Sequence, residues 1–292
     1  MKISFLNNSS IAFDPRTPLN RPLGGTESAV AYLASALTQA GVQVTLFNHS
    51  TAHSVVDGVR VVPVTDAPPE VLADCDLLVI VSCAIGSEIR SLVGDRVPML
   101  LWGHHDIDQP AIARLSEPDE RAAFDGHVMV SHWQAQRFVA QFSLRQQDVH
   151  VIGNGVSPAV LAQPVGPAWY EIGNSPTLVY SSTPYRGLDV LLQCFPAIRA
   201  LVPDVRLRIH SSMNIYGIGL EMDACKYLYV LAKSLRGVDY VGPVSQSELA
   251  KSLSSVAASG LSQYLHGNVL HRRYGVHGKW RGYLYDMLWR AP

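Results

Sequence analysis

Three short stretches of this chain combine glycine, small hydroxyl and basic or imidazole side chains in ways that suit an anionic or sugar ligand. Gly24-Gly25-Thr26-Glu27 lies between an apolar run and a strongly patterned helix, so its backbone amides can face an anion with the helix dipole behind them. Glycine admits a phosphate where a side chain would block it, although a tight turn that opens a helix explains two glycines equally well. The spacing Gly-x-Gly-x-x-Gly of a dinucleotide site is absent there. Trp102-Gly103-His104-His105-Asp106 follows the apolar run Met99 to Leu101 and so puts polar groups at the carboxyl end of a strand, where open parallel sheets take their ligands. Either histidine can hydrogen-bond a sugar hydroxyl, and either can equally be a loop residue satisfied by backbone or water. Adjacent side chains diverge and no third ligand is identifiable, so the pair is not a metal signature, and no cofactor is expected. Ser181-Ser182-Thr183-Pro184-Tyr185-Arg186-Gly187 again joins a strand to a helix. A cation beside a helix N-terminus is disfavoured unless an anion lies between them, which makes Arg186 the informative residue, set against the plainer reading of a solvated arginine. Gly153-Asn154-Gly155 forms a turn whose ligand role stays open.

Elements able to position these groups recur along the chain. Apolar runs of strand length occur at Ile3 to Leu6, Val42 to Phe47, Val59 to Val64, Leu77 to Val81, Met99 to Trp102, His127 to Val130 and Val149 to Ile152. From Glu27 to Leu37, Ala29, Val30, Leu33, Ala34 and Leu37 share one helical face, and Gly41 follows where a cap belongs. This alternation implies an α/β fold with a parallel sheet covered on both sides. After Pro164-Val165-Gly166-Pro167, which suits a linker, a second cycle begins. It predicts strands at Thr177 to Ser181, Val205 to Ile209 and Val238 to Val241, and helices at Leu188 to Leu201, Met222 to Leu235 and Gln246 to Ala258. The expected organisation is two Rossmann-like domains: residues 1–165 as the acceptor-side domain and 166–258 as a donor domain, short of its last elements. A tail of residues 259–292 follows.

The totals set bounds. A chain of 292 residues with 48% hydrophobic residues can bury two cores, which excludes disorder. A pI near 6.8 gives no whole-chain argument for nucleic-acid binding. No signal peptide or membrane-spanning run is visible. Cys75, Cys83, Cys194 and Cys225 are scattered, so buried thiols in a reducing cytoplasm are expected.

Taken in order, these motifs resemble the retaining glycosyltransferases of the GT-B type, in particular the large family 4 (group 1) set. The matching stretches are Gly24 to Glu27, Trp102 to Asp106, Asp125 to Ser131, Val151 to Val156, Arg186 to Leu192, and Val241-Gly242-Pro243 ahead of Glu248-Leu249. The resemblance implies transfer of a sugar, with retention and without a bound metal, from a nucleotide diphosphate sugar to an acceptor. That acceptor is a sugar or a lipid-linked molecule, which would bring the protein to a membrane surface as a peripheral contact. It implies donor binding by Gly24, Gly25, Thr26, Ser182 and Arg186, with Arg186 standing where lysine is commoner. Arg186 and His104 are the catalytic residues that the resemblance implies: His104 aligns best with the histidine that touches the transferred sugar, and His105 is the runner-up. A second basic residue ahead of Arg186 has no counterpart. Two other outcomes remain: a nucleotide-sugar epimerase on the same architecture, and a non-catalytic or vestigial nucleotide-sugar binder.

From Ser259 the pattern fails. Neither helical nor strand periodicity holds, and Arg272, Arg273, Lys279, Arg281 and Arg290 face only Asp286 in opposite charge. The resemblance next implies a Tyr-Pro strand, a pair of donor-site glutamates and a helix opening Met-Glu, yet no glutamate follows Glu248. One extra base after the codon for Ala258 would account for this. Permitted codons for Ser259 to Tyr283, read one base later, give Leu-Ala-Tyr-Pro-Asn-Thr-Phe-Thr-Glu-Thr-Ser-Cys-Ile-Ala-Val-Met-Glu-Ser-Met-Ala-Ser-Gly-Ala-Ala, with both glutamates at the family spacing. The expectation is an impaired product of a catalytic lineage.

Overall fold

The computed structural model describes residues 1–164, 169–254, 256 and 258–259. Its first part runs β1 (Lys2–Asn7), α1 (Thr17–Asn20), α2 (Gly25–Gln39), β2 (Gln43–Asn48), β3 (Ser54–Val56), β4 (Val59–Pro63), α3 (Pro69–Leu72), β5 (Leu77–Val81), α4 (Gly86–Val93), β6 (Met99–Gly103), α5 (Pro118–Ala122), β7 (Gly126–Met129), α6 (His132–Phe142) and β8 (Val149–Val151). These strands form one eight-stranded sheet in the order β3-β4-β2-β1-β5-β6-β7-β8. It is parallel except where β3 turns back antiparallel on β4.

Both faces of this sheet are buried, as unbroken apolar strands require. Alternate residues enter different cores: Leu78, Ile80, Met99 and Leu101 pack with Phe138 and Leu115 on one side. Val79, Val81 and Trp102 pack with Val30, Ala31 and Ala34 of α2 on the other. Each such side chain contributes roughly 1.5–3 kcal/mol on leaving water, so the double cover fixes strand register firmly.

The second part runs α7 (Pro158–Leu161), β9 (Thr177–Tyr180), α8 (Leu188–Leu201), β10 (Arg206–Ile209), α9 (Lys226–Ser234), β11 (Val238–Tyr240), α10 (Gln246–Leu253) and β12 (Ala258–Ser259). Its sheet is four-stranded, parallel, and ordered β11-β10-β9-β12. Tyr180, Leu188, Leu192, Phe195, Leu207 and Ile209 form its core. Helix α10 rests against both α7 and α1, so the second sheet's last described helix touches the first part of the chain.

Several expectations are corrected. Helix α10 ends at Leu253 rather than Ala258, because the Ser254 hydroxyl donates to the Lys251 carbonyl and competes with the helix ladder. Ala258 and Ser259 instead pair with Leu178 and Val179 of β9. Helix α9 starts at Lys226 rather than Met222, since the Asp223 carboxylate accepts from the Cys225 amide and diverts the backbone. Among the described residues the sheet is shortest beside β9, where β12 has two residues, and β11 (Val238–Tyr240) forms the opposite edge. Of the four thiols expected to be buried, only Cys225 is; Cys75 and Cys83 are half-buried, and Cys194 lies on the outward face of α8. The linker residues 165–168 and the tail from Gly260 onward lie outside the described residues, and the frame-shift reading falls on them. Among the described residues, no helix is long and apolar enough to cross a membrane.

Candidate functional site

The carboxyl ends of β5 and β6 build the first half of the site. Ser82, just past β5, holds the left-handed conformation at φ 52°, a strained state for a residue with a side chain. Its amide donates to the Trp102 carbonyl at 2.9 Å, and its hydroxyl accepts from the His104 amide at 3.0 Å. Gln134 of α6, buried, ties the same loop from below. Its amide nitrogen donates to the Gly103 and His105 carbonyls at 3.1 and 2.8 Å, while its oxygen accepts from the Val130 amide. The loop carrying both histidines is thus fixed by two side chains that no sequence motif marked.

The two histidines then diverge. His104 Nε2 faces Asn154 Oδ1 at 3.1 Å, Nδ1 faces the Ser82 hydroxyl at 3.4 Å, and the ring lies 4.6 Å from the Trp102 ring. Burial lowers its pKa to about 4 despite the Asn154 contact, so the ring is neutral near pH 7. His105 Nδ1 is buried without a hydrogen-bond partner among the described residues. Burial also lowers the pKa of His105; the Glu27 carboxylate opposes that shift and the Arg186 guanidinium adds to it.

Arg186 comes from the second sheet. Tyr180, fully buried at the end of β9, donates its hydroxyl to the Thr183 carbonyl at 2.6 Å, and the Ser211 hydroxyl donates to the Ser182 carbonyl at 2.6 Å. These bonds pin the loop from Ser181 to Gly187, whose last residue takes φ 84° and caps the fourteen-residue helix α8. Only glycine holds that conformation without strain. Arg186 is exposed, and its charge reaches His105 of the other part of the chain.

Gly24 and Gly25 open helix α2 as expected. Gly24 is buried, and a β-carbon on it would collide with the Glu27 carboxylate, which therefore folds back over its own helix N-terminus. A β-carbon on Gly25 would meet nothing within 4 Å, so open space lies over that residue, while Thr26 is half-buried. Tyr216 closes the group from the second part of the chain. It ends the 3-10 turn Met213–Tyr216 after β10, and its ring edge lies 3.5 Å from where a Gly24 β-carbon would stand. Burial raises its pKa, Glu27 raises it further, and Arg186 opposes. Gly24, Glu27 and Tyr216 thus converge from both sheets, with His105 and Arg186 within electrostatic range of one another, whereas His104 pairs with Asn154.

Sequence reasoning missed Tyr216 and passed over Glu27 as a site residue. Tyr216 follows a strand's carboxyl end, the same signal that marked His104, but lies seven positions past Ile209, beyond an irregular segment. A separate surface cavity of about 580 Å³ lies between α6 and β8, lined by His132, Gln136, Gln146, His150 and their neighbours, and includes none of the converging residues.

Among solved structures, a sucrose-phosphate synthase from Thermosynechococcus elongatus matches with TM-score 0.63 and 16% identity over 92% of this chain and 77% of its own. The chain has the GT-B fold. HepE from Anabaena, solved with UDP-glucose, shares this GT-B architecture with TM-score 0.60 and 16% identity over 90% of this chain and 74% of its own. A UDP-GlcNAc 2-epimerase from Neisseria meningitidis, bound to UDP-GlcNAc, matches with TM-score 0.52 and 11% identity over 89% and 77%. At such identities the likeness establishes a glycosyltransferase-type GT-B fold, with the second sheet incomplete among the described residues. No protein-family model and no curated protein matches the sequence.

Proposed function

We propose that the cleft between the two sheets binds a nucleotide diphosphate sugar and that the lineage of this chain transfers the sugar to an acceptor with retention. The observation that carries this is Tyr216 of the second part lying with its ring edge 3.5 Å from the Gly24 β-carbon position, where the Glu27 carboxylate also stands, with Arg186 within electrostatic range of His105. A guanidinium at the start of α8 suits the paired oxygens of a diphosphate, and the helix N-terminus behind it favours the same anion. As the leaving group departs, negative charge grows on that diphosphate, so this cation and the adjoining amides stabilise the transition state more than the ground state. Gly25, with open space above it, leaves room for the sugar or its phosphates, while the Glu27 carboxylate repels an anion at Gly24 and instead suits sugar hydroxyls. Ser182, in the loop before α8, and Thr26, in the first turn of α2, serve donor binding through their backbone.

His104 was assigned the transferred sugar by resemblance, and reaches it only by giving up Asn154. We assign that contact to His105, whose buried Nδ1 awaits a partner, and give His104 the role of holding the loop. No glutamate occurs from residue 249 to residue 292, where the resemblance places the donor-site pair, so the chain in this frame is proposed to bind a donor more readily than to turn it over. Shared architecture with an epimerase favours one second reading, in which the sugar is rearranged and free nucleotide is released without an acceptor.

Product analysis on the protein from the frame-restored gene, beside the present chain, separates these readings. Sugar appearing on an added acceptor supports transfer. Nucleotide released together with an epimerised free sugar, water adding where the diphosphate leaves, supports the epimerase, and donor binding with neither product supports a vestigial binder.

A further inference from the structure

Helix α9 buries one side and leaves the other without cover. Leu228, Tyr229 and Ala232 face the second core, while Tyr227 and Val230 are 61% and 68% exposed and Leu231 adjoins them on the outer side. Positions 227, 230 and 231 stand three and four apart, so these apolar groups form one outward stripe. The turn leading into the helix extends it, with Leu220 and Met222 at 60% and 82% exposure. The Tyr185 hydroxyl reaches the Cys225 thiol at the helix start, which brings another exposed aromatic to the same end, next to Arg186. Scattered exposed apolar residues are ordinary, but a run of this kind on one helix and its entry turn marks an interaction surface.

Charge selects the occupant. Lys226 and Lys233 stand seven apart along one border of the stripe, four and three residues from Val230, and exposed Arg236 follows the helix end. Between Leu220 and Arg236 the acids are Glu221, exposed and 3.5 Å from Lys226, and Asp223, buried against Tyr229 and the Cys225 amide. The exposed border is therefore net positive. Apolar side chains flanked by lysines on a helix lying flat on the surface match the interface of an anionic bilayer, where the apolar groups enter the acyl boundary and the cations meet headgroup phosphates.

We propose that the outer face of α9, with the turn from Leu220 to Met222, docks the protein on an anionic lipid surface. The surface stands on exposure and charge alone and does not require the cleft to transfer sugar. Its place beside Tyr185 and Arg186 sets the mouth of the cleft near the bilayer plane.

Cosedimentation of the full chain with phosphatidylcholine vesicles, and with vesicles of equal parts phosphatidylcholine and phosphatidylglycerol, tests this. The expected result is binding to the mixed vesicles alone, weakened by salt. The double variant K226S/K233S should lower the partition on the order of tenfold, and Val230→Asp should abolish it. Circular dichroism shows that each variant keeps the fold, which substitution of exposed residues should preserve. No binding to mixed vesicles overturns the proposal. Binding that both variants leave unchanged also overturns it and places the contact elsewhere, in the basic tail for example. Concentration-dependent dimers that Val230→Asp abolishes, without vesicle binding, overturn it in favour of a second copy of the chain.

Discussion

Neighbouring residues of one type do different work here because their surroundings differ. His104 and His105 are adjacent, yet one ring is held between Ser82 and Asn154 while the other keeps a buried nitrogen unpartnered beside Glu27 and Arg186. His105→Ala should therefore weaken donor-sugar binding several-fold with little effect on folding, and His104→Ala should lower stability by about 1 kcal/mol. A titration paired with urea unfolding on each variant checks this; the opposite pattern would return the sugar contact to His104. His127 shows burial acting on a proton. Neither of its ring nitrogens has a partner among the described residues, it lies 5.6 Å from the Phe124 ring, and burial lowers its pKa to about 4 against a weak opposing pull from Asp148. The unfolded chain, with an ordinary imidazole, binds more protons between about pH 6.5 and pH 4, so stability is full above that window. It falls by up to about 3 kcal/mol as pH drops through it. Thermal melts from pH 7 to pH 4 should show this fall, shared with His104, and His127→Leu should remove its own part of the slope.

At the scale of elements, capping and turn geometry decide what periodicity leaves open. Glu120 of α5 is fully buried and accepts from the Gly86 and Ser87 amides and the Ser87 hydroxyl, so it caps α4 from another helix, with Arg114 at 3.5 Å. Glu120→Ala leaves these donors unsatisfied and should cost about 3 kcal/mol, read as a lower urea midpoint; a change under half that would mean water replaces the carboxylate. The β3–β4 hairpin turns at Asp57 and Gly58, with φ 49° and 80°. Asp-Gly between two short β-branched runs is the usual sign of such a turn, yet the hairpin was not read from the sequence, because β3, three residues long, falls below the length that periodicity detects. The parallel strands were legible because both faces are buried, and α8 because its apolar stripe is continuous. The ends of α9 and α10 were not, since Asp223 and Ser254 redirect the backbone through their own side chains. Likewise the loops holding Gly24, His105 and Arg186 were found from strand ends, whereas Tyr216, Ser82 and Gln134 act through contacts made only once the chain is folded.

For the whole molecule, the proposed site draws on two sheets that share no strand. A cation from the second stands within electrostatic range of an imidazole from the first, and an anion bridging them would link the two parts. Nothing in either sheet alone would bind a diphosphate well, because Gly24 carries the Glu27 carboxylate against it and Arg186 alone is one exposed charge. Glu27→Gln should accordingly tighten a diphosphate several-fold at low salt, where one opposing charge is screened least. The most direct test of the site is calorimetric titration of the chain with uridine and guanosine diphosphates and their sugars, beside Arg186→Ala and Arg186→Lys. Binding to one nucleotide series is expected, with a loss of about 10- to 100-fold for the alanine variant, as charge-assisted hydrogen bonds require, and a partial loss for lysine. Binding of equal strength in the chain and in Arg186→Ala would contradict this expectation.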